Sequence, residues 1–139
     1  MVLVDSSVWI EALRRDGNVN VKLALENLLE EYEAAWCGPV KLEVLGGARV
    51  QDRQKLEAQF ECIPYFQMKD SAWDNAKKIA WRLRDRGCNP PWNDVLIATL
   101  SALAGCRVYS IDKHFQQMHR SGAGIRLYEP GYMGGYNPN

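Results

Sequence analysis

The sequence predicts an α/β fold: a mainly parallel sheet with helices on both faces. Two observations predict it. Short apolar runs without interrupting polar residues recur along the chain, as strands buried on both faces of a parallel sheet require. Segments with helical apolar spacing separate these runs, the alternation expected of βα units. There is no internal repeat, low-complexity tract or linker in the 139 residues, so one domain is expected.

The elements follow in order. Val2, Leu3 and Val4 form the first strand, which ends at Asp5. Ser6 and Ser7 are suited to capping a helix through Trp9, Ile10 and Leu13, closed by Asp16-Gly17-Asn18. Val21, Leu25, Leu28, Leu29 and Tyr32 make the stripe of a second helix. Residues 34–37 suit a short strand. Gly38-Pro39 then opens a helix carrying Leu42, Glu43 and Leu45, with Gly46-Gly47 marking a close approach or an end. Residues 52–60 read as helical, and the segment from Cys62 to Met68, which contains Pro64, as an edge strand. Asp70 or Ser71 caps a helix to Arg86 with Trp73, Ala76, Ala80 and Leu83 as its buried stripe. After the rigid loop Cys88-Asn89-Pro90-Pro91-Trp92, Asn93 or Asp94 caps an apolar helix ended by Gly105. Residues 107–111 form a strand ending at Asp112, a short helix surrounds Phe115 and Met118, and residues 125–128 form the last strand. The domain is expected to span residues 1–130, with residues 131–139 as a loosely held tail.

Composition narrows the class. With 47% apolar and 24% charged residues, the chain is an ordinary globular domain. No apolar run approaches the roughly 20 residues of a membrane helix. The opening MVLVDSSVWI is too short and too acidic for a signal peptide, so a cytoplasmic protein is expected. The four cysteines show no C-x-x-C pairing and read as buried free thiols. Basic and acidic residues balance at 17 each, which alone disfavours a nucleic-acid binder. Committing several acids to a metal would leave the remaining surface basic.

Four acids are the candidate chemistry. Asp5 and Asp112 each terminate a strand, and open parallel sheets bind ligands outside the carboxyl ends of their strands. Asp94 opens a helix that can face the same edge; a plain N-cap is the competing reading. Glu43 lies between Leu42 and Val44-Leu45, and a carboxylate buried there would need a partner. A divalent ion is the partner that suits several clustered carboxylates.

These residues carry a family resemblance. Val4-Asp5-Ser6-Ser7-Val8-Trp9-Ile10, then residues 39–48 around Glu43, then Asn93-Asp94-Val95-Leu96-Ile97-Ala98, then Tyr109-Ser110-Ile111-Asp112-Lys113-His114-Phe115 stand in the order and spacing of four motifs. Together they resemble the PIN-domain nucleases, and among them the VapC-type toxins of toxin–antitoxin pairs. The resemblance runs from about residue 1 to residue 130. It implies a three-layer α/β/α sandwich with a four- or five-stranded sheet, and a catalytic and metal site of Asp5, Glu43, Asp94 and Asp112. It further implies an endoribonuclease using Mg²⁺ or Mn²⁺, a VapB-type antitoxin and a homodimer. Such an antitoxin would insert arginines among the crowded carboxylates. One position departs from the pattern: many relatives carry an acid where this chain has His114.

Around these acids, Ser7 and Ser110 can orient carboxylates or hold waters, or serve only as caps and strand contacts. His114 reads as a substrate contact, a support for the acids, or a plain surface histidine. Trp92 can stack on an unpaired base or pack on the sheet edge, and Lys113 is a candidate RNA contact. The remaining tryptophans, Trp9, Trp36, Trp73 and Trp81, read as core. Lys77, Lys78, Arg82, Arg84 and Arg86 crowd one helix, either as a solvated face or as phosphate contacts. Rival readings are an RNA-processing nuclease of the same family without an antitoxin, an aspartyl-phosphate protein using Asp5 as nucleophile, and a binding module without activity.

Overall fold

Five short strands form one parallel sheet in the computed structural model, which describes residues 1–139. The strands are β1 (Val2–Val4), β2 (Ala34–Cys37), β3 (Tyr65–Phe66), β4 (Arg107–Tyr109) and β5 (Arg126–Leu127), in the order β3-β2-β1-β4-β5. β1 is central, and none of its three residues is exposed to solvent, which explains its unbroken apolar run. Val2 pairs with Ala34 on one side and Arg107 on the other, and Val4 pairs with Tyr109. The chain builds β2 and β3 to one side of β1, then crosses to β4 and β5 on the other. The reversal falls between β1 and β4. That is where an open sheet leaves a crevice at its C-terminal edge, and Asp5 and Ser110 emerge there side by side.

Seven helices cover the sheet. In α1 (Ser6–Leu13) the cap is Asp5 rather than the expected serines, its carboxylate accepting from the Ser7 amide at 3.3 Å. In α2 (Val19–Glu30) Asn18 is the cap, accepting from the amides of Asn20 and Val21. Tyr32 does not continue the stripe of α2. It lies beyond the helix end at φ 56° and is 86% exposed. Pro39 sits in the first turn of α3 (Gly38–Val44), and the Gly46-Gly47 pair follows its end. α4 (Val50–Glu61) contributes Leu56 and Phe60 to the interior.

Two expected caps are corrected by one residue or more. Lys69 precedes α5 (Asp70–Asp85) without a side-chain cap, and Pro91 precedes α6 (Trp92–Ala104) in the same way. Pro has no amide hydrogen and fixes the entry angle, so α6 starts without an Asx cap. Asp94 is thereby the third residue of α6, its carboxylate free of capping duty. α7 (Lys113–Arg120) is capped by Asp112, which accepts from the His114 amide at 3.1 Å.

The interior on one side of the sheet is organised by Phe60, whose ring lies 4.6 Å from that of Trp9 and 4.4 Å from that of Trp36. The Trp36 indole donates to the Ile63 carbonyl at 3.1 Å. Trp73 and Trp81, expected in the core, are 57% and 58% exposed. The buried stripe of α5 is Ala72, Ala76, Ile79, Ala80 and Leu83, and Trp73 falls one position outside it. Three cysteines are buried as expected, whereas Cys62 is exposed at the end of α4.

The C-terminal tail is held, not loose. Residues 132–134 form a 3-10 turn against α2, where Asn27 donates to the Gly134 carbonyl at 2.9 Å. Tyr136 packs on the core, and the Asn137 amide donates to the Tyr128 hydroxyl at 3.2 Å. Gly134 is buried at φ 79°, and a β-carbon there would stand 2.7 Å from the Ala24 nitrogen, so the docking requires glycine. No helix is long and apolar enough to cross a membrane.

Candidate metal centre

The site is built where β1 and β4 end. Asp5 is only 3% exposed, and one of its oxygens, Oδ2, accepts from the Ser7 hydroxyl at 2.6 Å and the Ser110 hydroxyl at 2.9 Å. The two serines lie 3.2 Å apart through their hydroxyls and extend the network along the β4 loop. Ser7 Oγ accepts from the Ile111 amide, and Ser110 Oγ accepts from the Asp112 amide at 3.0 Å. The serines thus lock the loop that carries Asp112 to the strand that carries Asp5. Of the two roles open to these serines, capping and orienting, the hydrogen bonds show both bracing Asp5.

Asp94 projects from the first turn of α6 and is 9% exposed. Burial first, and then the neighbouring Asp5 carboxylate, push its pKa up to about 6 from an ordinary 3.8, against the opposing pull of His114. His114 Nδ1 lies 2.8 Å from Asp94 Oδ2 and 3.0 Å from Asp112 Oδ1. Ligand atoms of Asp94, Asp112 and His114 all fall within 4.8 Å of one another. His114 is therefore no plain surface histidine. Its ring stands between two of the acids, with its side chain only 28% exposed. The sequence signal was its place two residues after a strand-end acid, on the first turn of the helix that acid caps.

Glu43 is the outlying member. It is exposed on α3, as is Leu42 beside it, so the argument from a buried position does not hold. Its hydrogen bond is to Asn93, the residue before Asp94, whose amide nitrogen donates to Oε1 at 3.4 Å. Behind the site, the Cys37 thiol is pushed up to about 12, mainly by burial and further by Asp5 and Glu43. It stays a neutral wall rather than a ligand. The second histidine, His119, is directed away, its Nδ1 2.8 Å from the Ile125 carbonyl.

The donor set fits a hard divalent cation. Asp94 and Asp112 have no lysine or arginine within 4 Å, and His114 is their one ion-pair partner. Burial and the neighbouring Asp5 carboxylate disfavour the charged form of Asp94, a cost that a bound cation would offset. Carboxylate oxygens from Asp94 and Asp112, with the His114 nitrogen beside them, suit Mg²⁺ or a first-row transition ion.

A profile of the PIN domain matches residues 2–120. The chain belongs to the PIN domain family. It is 30% identical over 125 residues to the VapC ribonuclease Mb1587 of Mycobacterium bovis and to ribonuclease VapC11 of Mycobacterium tuberculosis, an alignment covering 86% of this chain and 92% of either relative. Among solved structures, the fold resembles that of VapBC2 from Rickettsia felis bound to a promoter DNA fragment, with a TM-score of 0.75 at 16% identity, over 92% of this chain and 98% of that one. It also resembles FitAcB from Neisseria gonorrhoeae, with a TM-score of 0.71 at 19% identity, over 93% and 97%. The PIN fold expected from the sequence is the fold observed. In this PIN domain Asp94, Asp112 and His114 form one cluster, and Asp5 lies near enough to Asp94 to raise its pKa.

Alongside the centre lies a second feature that the sequence did not announce. Trp73, Lys77, Trp81 and Arg84 of α5 and Trp92, Val95 and Leu96 of α6 line an apolar cleft of about 350 Å³. Trp92 is 66% exposed there, so it does not pack on the sheet edge. Lys77 sits over the Trp81 ring at 5.1 Å.

Proposed function

We propose that this PIN-domain protein is a divalent-metal-dependent endoribonuclease, the toxin of a VapBC-type toxin–antitoxin pair. The observation that carries the reading is the convergence of Asp5, Asp94 and Asp112 on one crevice without a lysine or arginine to balance them. The kinship with VapC ribonucleases supports RNA as substrate and an antitoxin as partner.

Asp5, Glu43, Asp94 and Asp112 are the residues that would hold Mg²⁺ or Mn²⁺. Bound among them, the ion supplies an acidified water as nucleophile and charge stabilisation at the phosphate. The chain's own groups do the positioning. Ser7 and Ser110 fix one oxygen of Asp5 and leave the other free. The α7 cap fixes Asp112, and Asn93 orients Glu43. Exposed Trp92 and Lys113 are the proposed RNA contacts, by stacking and by phosphate pairing. The protein acts as a cytoplasmic homodimer, and its antitoxin neutralises the acids with arginine, whose planar fork matches carboxylates.

Cleavage of a labelled RNA pool tests the reading. Activity should require Mg²⁺ or Mn²⁺, stop with chelator, and be silenced by the antitoxin encoded beside this protein. Undiminished cutting in chelator would reject the metal mechanism. The absence of an adjacent antitoxin gene would favour an RNA-processing nuclease of the same family.

A further inference from the structure

We propose that His114 is itself a ligand of the divalent ion, through Nδ1, and that it biases the centre toward a transition ion such as Mn²⁺ over Mg²⁺. This rests on the metal reading above and adds a nitrogen to what is otherwise an all-oxygen set.

The spacing is the first argument. Nδ1 stands 2.8 Å from Asp94 Oδ2 and 3.0 Å from Asp112 Oδ1. Neighbouring ligands of an octahedral ion with bonds near 2.1 Å are about 3.0 Å apart. Both distances from the ring nitrogen are those of adjacent ligand positions, and the two carboxylate oxygens lie within 4.8 Å of each other.

Orientation is the second argument. His114 is the second residue of α7, and its amide is tied to Asp112 Oδ1 at 3.1 Å. Backbone and ring are thus both held against the same carboxylate. Here the nitrogen nearer the backbone is aimed into the crevice. With its hydrogen on Nε2, the ring presents a lone pair at Nδ1.

The chemistry then sets the preference. Imidazole nitrogen is a good ligand for first-row transition ions, whereas Mg²⁺ takes oxygen and holds its waters. Replacing an oxygen position by nitrogen should favour Mn²⁺ at the expense of Mg²⁺. His119 offers an internal control, because its Nδ1 faces the Ile125 carbonyl on the far end of the same helix.

The test is spectroscopic. Mn²⁺ is added to the purified full chain, and to His114→Ala, His114→Asp and His119→Ala. Free Mn²⁺ is measured by its six-line electron paramagnetic resonance signal. Electron spin-echo modulation reports any nitrogen coupled to bound Mn²⁺. Mg²⁺ is then titrated in to displace the Mn²⁺. Wild type and His119→Ala should show histidine nitrogen coupling, and both His114 variants should lose it. His114→Ala should bind Mn²⁺ at least about 10-fold more weakly, the lower end of what losing even an indirect partner costs. His114→Asp should keep Mn²⁺ but release it at about tenfold lower Mg²⁺ than wild type, following the ligand preference. Mn²⁺ bound to wild type without nitrogen coupling, or coupling that persists in folded His114→Ala, overturns this inference and leaves the metal reading standing. Mn²⁺ that remains free with wild type overturns both.

Discussion

The acid crevice and the tryptophan cleft share helix α6 and are built by opposite means. Asp94 faces the crevice from the first turn of α6, while Trp92, Val95 and Leu96 face the cleft from the same turns. In the crevice, polar groups are withdrawn from water and braced by hydrogen bonds: Asp5 is 3% exposed and engaged by two serine hydroxyls. In the cleft, large apolar rings are left in water, three tryptophans each more than half exposed. Neither arrangement is what stability alone would select, since burial favours rings and disfavours unbalanced charge. The lesson is that both regions are departures from the folding optimum, one electrostatic and one hydrophobic, on neighbouring faces of one helix. The crevice is suited to fixed chemistry and the cleft to contact.

That contrast can be broken most directly at the acids. Asp5→Asn and Asp94→Asn keep side-chain size and remove the charge that would hold an ion. Each should lower RNA cleavage by about 100- to 1000-fold, the scale on which removal of a charge-stabilising group is felt. Circular dichroism should show the fold intact. Near-normal cleavage by either variant would remove that residue from the chemistry. Glu43→Gln should cost less, about 10- to 100-fold, because Glu43 is exposed and its one hydrogen bond is to Asn93. Equal losses at Glu43 and Asp94 would mean that exposure does not grade the two.

The cleft should respond in a different parameter. Trp92→Ala is expected to raise KM for RNA by about 5- to 100-fold with kcat little changed, from the worth of one stacked base. A loss confined to kcat would place Trp92 with the acids and dissolve the distinction drawn above. The double variant Trp73→Ala, Trp81→Ala should leave Mn²⁺ binding unaltered, as measured by the free-ion signal, because neither residue lies among the ligands.

The smallest effect sharpens the electrostatic half. Asp94 has a folded pKa raised to about 6 from an ordinary 3.8. A carboxyl with a raised pKa holds its proton more tightly in the folded state. It therefore destabilises progressively as pH rises between about 4 and 6, and fully above that. In chelator, Asp94→Asn should melt a few degrees above wild type at pH 7, and the gap should close toward pH 4. Addition of Mn²⁺ at pH 7 should reverse the order, since only wild type gains the bound ion. A gap independent of pH would mean that the burial of Asp94 is not what limits stability.

The first strand and the acid that follows it, the parallel sheet and the family are legible in the chain, whereas the strand expected over residues 107–111 stops at Tyr109, where the loop braced by Ser110 begins. Those features are local or periodic: an unbroken apolar run is a strand buried on both faces, and a residue's place at its end follows from chain order. Helix spacing also located α5 and α6, because 3.6-residue periodicity survives without knowledge of neighbours. Only the tertiary structure decided which faces were covered. Trp73 and Trp81 look like core in a window of sequence, yet nothing packs over that side of α5, and apolarity does not say whether a partner element is present. Glu43 looked buried among apolar neighbours for the same reason, although Leu42 beside it is itself in solvent. The sequence marks His114 as a departure from the family pattern but leaves its role open; the pairing of β4 with β1 decides it. That pairing sets Ser110 against Asp5 and brings Asp112 and His114 to Asp94. The tail looked loose from its glycines, but whether Gly134 docks depends on the backbone of α2 offering a surface too close for any side chain. In each case the deciding quantity is a distance between residues far apart in the chain, which no pattern along the sequence encodes.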